Sequence, residues 1–163
     1  DDFDTSKNVP LWQNSLAYVP QDIFLFNDTI KNNILFGLNE NDITENDIKR
    51  VTKLVNLDEF LNRVESGLNT VVGEKATRLS GGQAQRISIA RSILRGSEIV
   101  VLDEATSKLD ENNEYKILES VTKKLSNSKT FIIISHRSNT LKKFCDKVFE
   151  LSNNKLVLKY QKN

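Results

Sequence analysis

Methionine is absent from the 163 residues, and cysteine and histidine occur once each, as Cys145 and His136. One thiol cannot close an internal disulfide or supply a cysteine-cluster metal site. That sets aside the cross-linked secreted scaffolds and fits a reducing compartment. A free cysteine usually packs as a small apolar side chain, so Cys145 is expected half-buried on a helix. Long apolar runs are missing too. The purely aliphatic or aromatic stretches are short, such as Ile99 to Leu102 and Phe131 to Ile134, whereas a membrane span needs about 20 apolar residues. No basic-then-apolar leader opens the chain. Nor does charge of one sign dominate: 23 Lys and Arg stand against 22 Asp and Glu, a net charge of +1. No global field therefore recruits nucleic acid or anionic lipid. With no methionine and a start at Asp1-Asp2, the chain is expected to be a piece of a longer polypeptide. What remains, 38% hydrophobic and 28% charged, is ordinary globular composition at a length suited to one domain.

Periodicity divides the chain into three parts, 1–27, 28–80 and 81–163. The first begins polar and reaches a short strand, Leu16-Ala17-Tyr18-Val19, halted by Pro20-Gln21-Asp22. The second carries helical spacing. Thr44-Glu45-Asn46-Asp47 resembles a capping box, with Ile48, Val51 and Val55 following at i, i+3 and i+7. From residue 80 onward helix and strand alternate. Ile87, Ala90 and Leu94 mark one helix and Ile117, Val121 and Leu125 another; between and after them stand the apolar runs at 99–102 and 131–134. Continuous apolar runs between amphipathic helices predict strands buried on both faces of a parallel sheet. Val148 to Leu151, Asn153-Asn154 and Leu156 to Leu158 predict a closing β-hairpin.

Four places could carry chemistry. In open α/β sheets ligands gather outside the carboxyl ends of the strands, and Asp103-Glu104 ends the run Ile99 to Leu102. There Asp103 could hold Mg²⁺, partly through water, and Glu104 could take a proton from an attacking water. The same pair could instead cap the next turn and face solvent. Ser80-Gly81-Gly82-Gln83 fits a Ser-x-x-Gln capping box whose two glycines leave backbone N–H groups bare at a helix start. It reads either as an anion site or as an ordinary capped helix. His136, after Phe131 to Ser135, could reach a terminal phosphate or be structural. Gln21, taken alone, is a loop residue.

The order of the pieces is more informative than any one of them. Tyr18-Val19-Pro20-Gln21, Leu79-Ser80-Gly81-Gly82-Gln83, the aliphatic strand ending in Asp103-Glu104, Ser107-Lys108-Leu109-Asp110 and Ser135-His136 follow in sequence. This resembles the nucleotide-binding domain of ATP-binding-cassette (ABC) proteins from residue 16 to about 158. The resemblance implies a P-loop-NTPase-like α/β core with a parallel sheet flanked by helices, plus a helical subdomain over 28–80. It implies ATP and Mg²⁺ as ligands. Gln21 matches the Q-loop glutamine that touches Mg²⁺ and water and links the site to the membrane-embedded partner. Ser80, Gly81, Gly82 and Gln83 match the signature motif that closes over the γ-phosphate held by the opposite subunit. Asp103 matches the Walker B aspartate, Glu104 the catalytic base and His136 the switch histidine. Ser107 and Asp110 match the D-loop, where Lys108 stands at a position commonly Ala. Pro20 to Ile30 and Val72-Gly73-Glu74 are similar to the exporter branch, with Lys75, Ala76 and Thr77 departing from the usual Gly and Arg. The implied partners are a second nucleotide-binding domain, expected as a homodimer, and transmembrane domains, at the cytoplasmic face of a membrane. No nucleic-acid partner is expected. The rival readings are a soluble ABC ATPase acting on ribosomes or DNA, and a degenerate, non-catalytic cassette.

A P-loop, G-x-x-x-x-G-K-[ST], is lacking: none of the glycines at 37, 67, 73, 81, 82 and 96 is followed by lysine. The resemblance places that loop, and the aromatic residue that stacks on adenine, upstream of Asp1. Without the strand and helix that accompany the loop, apolar sheet surface would be left uncovered, and self-association or strand exchange between copies is expected. Phosphoryl transfer depends on positioning and electrostatics more than on any single side chain. The purified 163-residue chain is accordingly expected to hydrolyse ATP poorly or not at all; a robust Mg²⁺-dependent rate in a phosphate-release assay would refute this.

Overall fold

Seven α-helices and five strands are found in a computed structural model that describes residues 4–162; the opening Asp1-Asp2, Phe3 and Asn163 lie outside the described residues. The helices start where the local chemistry allows. α1 (Val9–Asn14), which periodicity did not reveal, begins where Asn8 accepts a hydrogen bond from the Leu11 N–H and Pro10 fits the first turn. α2 (Ile30–Leu35) is capped by Thr29. α3 (Glu45–Leu54) carries the expected capping box: the Thr44 side chain accepts from the Asp47 N–H, and the Asp47 carboxylate accepts from the Thr44 N–H at 3.1 Å. α4 (Asp58–Leu61) is a single turn. α5 (Gly81–Leu94) has the second box, Ser80 with Gln83, and α6 (Glu111–Leu125) is capped by Asp110. α7 (Ser138–Phe144) is short and follows His136.

The segment 28–80 is less uniformly helical than its spacing suggests. It mixes α2 to α4 with 3-10 turns, and an antiparallel bridge between Thr29 and Val71 closes it.

Three strands lie parallel in the order β1 (Leu16–Val19), β2 (Ile99–Asp103), β3 (Thr130–Ile134). Leu16 pairs with Ile99 and Ile99 with Thr130, so the three strands finish side by side, with Asp103 opposite Ile134. Each parallel step needs a long crossover. The segment containing α2 to α5 supplies the first and α6 the second. α5 packs against β1, α2 and α3. It is buried on most of its circumference, from Ile87 through Ala90 to Leu94, serines included. Ile87, Val100, Leu102, Ile117 and Val121 share one core with Val19 and Ile34.

The expectation that both sheet faces are buried is corrected. Side chains alternate along a strand. Ala17, Val19, Val100 and Leu102 point into the core, while Tyr18, Ile132 and Ile134 on the alternate positions are 54%, 48% and 49% exposed. The helices among the described residues bury one face only. The closing hairpin, β4 (Lys147–Ser152) and β5 (Lys155–Gln161), is present as expected. Asn153 and Asn154 turn it at φ 49° and 60°, the left-handed pair that a two-residue hairpin loop requires. It forms a separate sheet with Leu151 and Leu156 each 71% exposed. Between β3 and β4 runs a groove of about 680 Å³ lined by Phe131, Ile133, Phe144, Val148 and Phe149. Cys145 lies half-buried at the C-terminal cap of α7, and burial pushes its thiol pKa up.

An apolar sheet face with an unpaired strand edge is an association surface. Concentration-dependent oligomers are expected in light scattering, and the double substitution Ile132→Thr with Ile134→Thr should reduce them. A clean monomer at high concentration would count against this.

Candidate functional site

The aligned strand ends gather Gln21, Asp103, Glu104 and His136. Gln21 follows Pro20 at the end of β1, and its Nε2 donates to Glu104 Oε2 at 2.6 Å. His136 Nε2 lies 2.6 Å from Glu104 Oε1. Glu104 is thus held from both sides. Its side chain is 19% exposed, against 91% for His136, so the carboxylate is recessed and the imidazole stands out in solvent. Tyr18 donates its hydroxyl to Asp103 Oδ2 at 2.7 Å. That bond, reinforced by the Asp103 charge, holds the phenol pKa above its ordinary value.

Glu104 adopts a left-handed backbone with φ 47°. For a residue with a side chain this costs of order 1–3 kcal/mol and persists only where the surroundings enforce it. Here the Glu104 N–H donates to the Ile134 carbonyl at 3.0 Å and its carbonyl accepts from the Ser107 N–H at 3.0 Å. The turn therefore leaves β2 sharply and ties its end to that of β3.

A second cluster forms around the start of α5. Ser80 to Gln83 pack on the loop Ser107 to Asp110. Both glycines approach this loop closely: a Cβ on Gly81 would lie 3.0 Å from Lys108 Cδ, and one on Gly82 2.9 Å from Leu109 Cδ2. Gln85, fully buried, donates to the Ser107 hydroxyl at 3.3 Å and accepts from the Lys108 N–H at 3.0 Å. Sequence reasoning missed Gln85, because one polar residue on a helix carries no sign of which loop it will meet. Asp110 accepts the Asn113 N–H at 3.0 Å, and these bonds with Asn113 hold its carboxyl pKa below the usual range. The two clusters share one loop, 104–110.

A buried network fixes the chain after Gln21. Asn33, fully buried, accepts from the Phe26 N–H at 2.9 Å and donates to the Phe26 carbonyl at 3.0 Å. Arg91 of α5 donates to the Asn33 carbonyl at 2.7 Å, and burial lowers its guanidinium pKa. Phe24, Phe26 and Phe36 remain exposed, the first two meeting edge to face at 5.0 Å and the last two packing at a tilt at 4.4 Å.

The donors suit Mg²⁺, which takes one or two carboxylates and fills its remaining positions with water and phosphate oxygens. Asp103 and the Gln21 amide oxygen are hard oxygen donors on adjacent strand ends. Among the described residues no cluster of three or more His, Cys, Asp or Glu could hold a metal ion unaided. No helix there is long and apolar enough to cross a membrane.

A sequence model described as ABC transporter matches residues 1–107. The ATP-dependent lipid A-core flippase of Pectobacterium atrosepticum is 41% identical over 145 residues, which are 89% of this chain and 24% of that protein. A putative export ATP-binding/permease protein of Rickettsia typhi is 42% identical over 142 residues, 87% of this chain and 24% of that one. The solved structure of a bacterial Atm1-family ABC exporter with ATP bound superposes with a TM-score of 0.81 at 34% identity, over 89% of this chain and 25% of its own. The fold is that of an ABC ATPase core, with its parallel sheet and flanking helices. The chain belongs to the ABC transporter family. It spans about a quarter of the length of the curated relatives it matches.

The two glycines are expected to tolerate substitution differently. Lys108 is exposed and its stem can move, whereas Leu109 is 5% exposed and held in the core. Gly81→Ala should be close to neutral, and Gly82→Ala should cost about 1–3 kcal/mol through overpacking. Denaturant titration of the two variants checks the order.

Proposed function

We propose that this chain is the part of an ABC exporter's ATPase domain that polarises the attacking water and presents the signature helix to a second copy. The observation that supports this most is Glu104 held between Gln21 and His136 at the ends of three parallel strands.

In this reading Glu104 accepts a proton from the water that attacks the terminal phosphorus. Its recessed carboxylate and fixed backbone keep that acceptor in place. Gln21 and Asp103 hold Mg²⁺ and orient the water, and His136 donates a hydrogen bond to the γ-phosphate oxygens from its exposed position. Bound Mg²⁺ supplies neutralisation of the phosphate charge. The N-terminus of α5, with Ser80, Gly81 and Gly82, directs N–H groups and the positive end of the helix dipole at the triphosphate of the opposite subunit. Ser107 and Asp110 line the loop between the two half-sites. Each site then needs two chains related by two-fold symmetry.

The phosphate cradle is the part these residues do not provide, which is why the chain alone is expected to be inactive. Closure on ATP and reopening on hydrolysis would move transmembrane domains at the cytoplasmic face of a membrane. The exposed Phe24, Phe26 and Phe36 beside Gln21 offer an apolar contact for those domains. The relatives, a flippase and an export protein, favour export over a ribosomal or DNA-bound task.

In the full-length protein, Glu104→Gln should slow ATP hydrolysis by roughly 10²–10⁴-fold, the worth of a general base, and trap the closed pair. Steady-state turnover measures this, and an unchanged rate removes Glu104 from the role.

A further inference from the structure

The reaction as described leaves one deeply buried carboxylate unused. Glu114 lies one turn beyond the Asp110 cap of α6 and its side chain is 2% exposed. Both of its oxygens are engaged. Oε1 accepts the Thr106 hydroxyl at 2.7 Å, and Oε2 takes Nη1 of Arg137. The second terminal nitrogen of Arg137 donates to the Leu109 carbonyl at 3.3 Å, and the Arg137 N–H donates to the Ser135 hydroxyl at 3.1 Å. Thr106 follows Glu104 by two residues, and Arg137 follows His136 directly. One charge on a rigid helix therefore grips both loops that present the Glu104 and His136 side chains to each other.

Taking the Glu114 carboxylate out of water is expensive, although the Arg137 side chain keeps 37% of its surface exposed, and an apolar pair of the same volume would serve packing at least as well. An apolar pair would not, however, dictate direction. The planar guanidinium fork and the two carboxylate oxygens fix the approach of three backbone segments at once. We infer that Glu114 is a positioning residue, setting the separation and orientation of Glu104 and His136 through Thr106 and Arg137. The inference rests on the role proposed above for that pair.

Its test separates positioning from simple bracing. Glu114→Gln preserves volume but turns an N–H₂ group toward Arg137 or Thr106. In the intact protein the variant is expected to lose about 10-fold or more in kcat for ATP, since small misplacements at a reacting centre are costly. KM should change by less than about twofold, because the residue touches no nucleotide. His136 is the only histidine, so its ring resonances in the 163-residue chain are unambiguous; they should shift in Glu114→Gln. Glu119→Gln, on the same helix but paired at the surface with Lys123, should leave kcat and the ring signals unchanged. Thr106→Val, which removes only the hydroxyl bond, should shift the same signals less, and it serves if Glu114→Gln does not fold. Unmoved ring signals and an intact kcat in a folded variant, whatever the fall in melting temperature, would overturn the inference and leave Glu114 a brace of the core. A wild-type protein without turnover would overturn the hydrolysis reading instead, and the histidine signals would then decide the positioning role.

Discussion

Three parallel strands in register bring their carboxyl ends together, and the candidate site of this chain depends on that alignment. Val19 leads to Pro20 and Gln21, Asp103 to Glu104, and Ile134 to Ser135 and His136. Because the strands end level, side chains far apart in sequence meet within hydrogen-bond distance around one carboxylate. The backbone at Glu104 is the sharpest expression of this constraint. A left-handed φ at a residue with a side chain is unfavourable in isolation, yet the Ile134 carbonyl and the Ser107 N–H on either side leave it little choice. The strain is local, and the cross-strand bond that enforces it also joins the loops of two strands into one unit.

Around this unit, buried polar side chains do what apolar packing cannot. Gln85 fixes the loop of Ser107 and Lys108 from inside α5, and Arg91 with Asn33 fixes the turn at Phe26. Arg86 reaches the Asn56 carbonyl at 2.6 Å and Asn113 at 2.7 Å, binding α5 to the end of α3 and the start of α6. Each is a directional contact between a rigid helix and a loop that lacks regular hydrogen bonds of its own. α5 is the common element in all three. A displacement of that helix would be felt at once by the Gln21 loop and the 104–110 loop, which gives the fold a mechanical link between its strand ends and its exposed aromatic patch.

The sheet is asymmetric in its burial. Its inner positions belong to a core continuous with α5 and α6, while Tyr18, Ile132 and Ile134 form an apolar row on the outer face. The hairpin of β4 and β5 stands apart, separated from β3 by an apolar groove. The relatives are about four times as long as this chain.

Much of the architecture was legible in the sequence because it rests on local rules. The capping boxes at Thr44 and Ser80, the apolar runs of β2 and β3 and the Asn-Asn hairpin turn are all written in neighbouring residues. The ordered motifs pointed to Gln21, Glu104 and His136 as a set. The short helices α1 and α7 escaped, since six or seven residues give too little periodicity to count. The apolar runs themselves could not show the one-sided burial of the sheet, because an all-apolar run reads the same whether its second face is covered or open; only the missing phosphate-loop motif pointed to uncovered sheet surface. Tyr18 on Asp103, Gln85 under Ser107 and Glu114 between Thr106 and Arg137 are contacts across tens of residues. Sequence by itself determined which groups could do chemistry and where helices and strands begin; only the tertiary structure decided which of those groups touch, because hydrogen-bond partners are chosen by the distance between elements and not by their order along the chain.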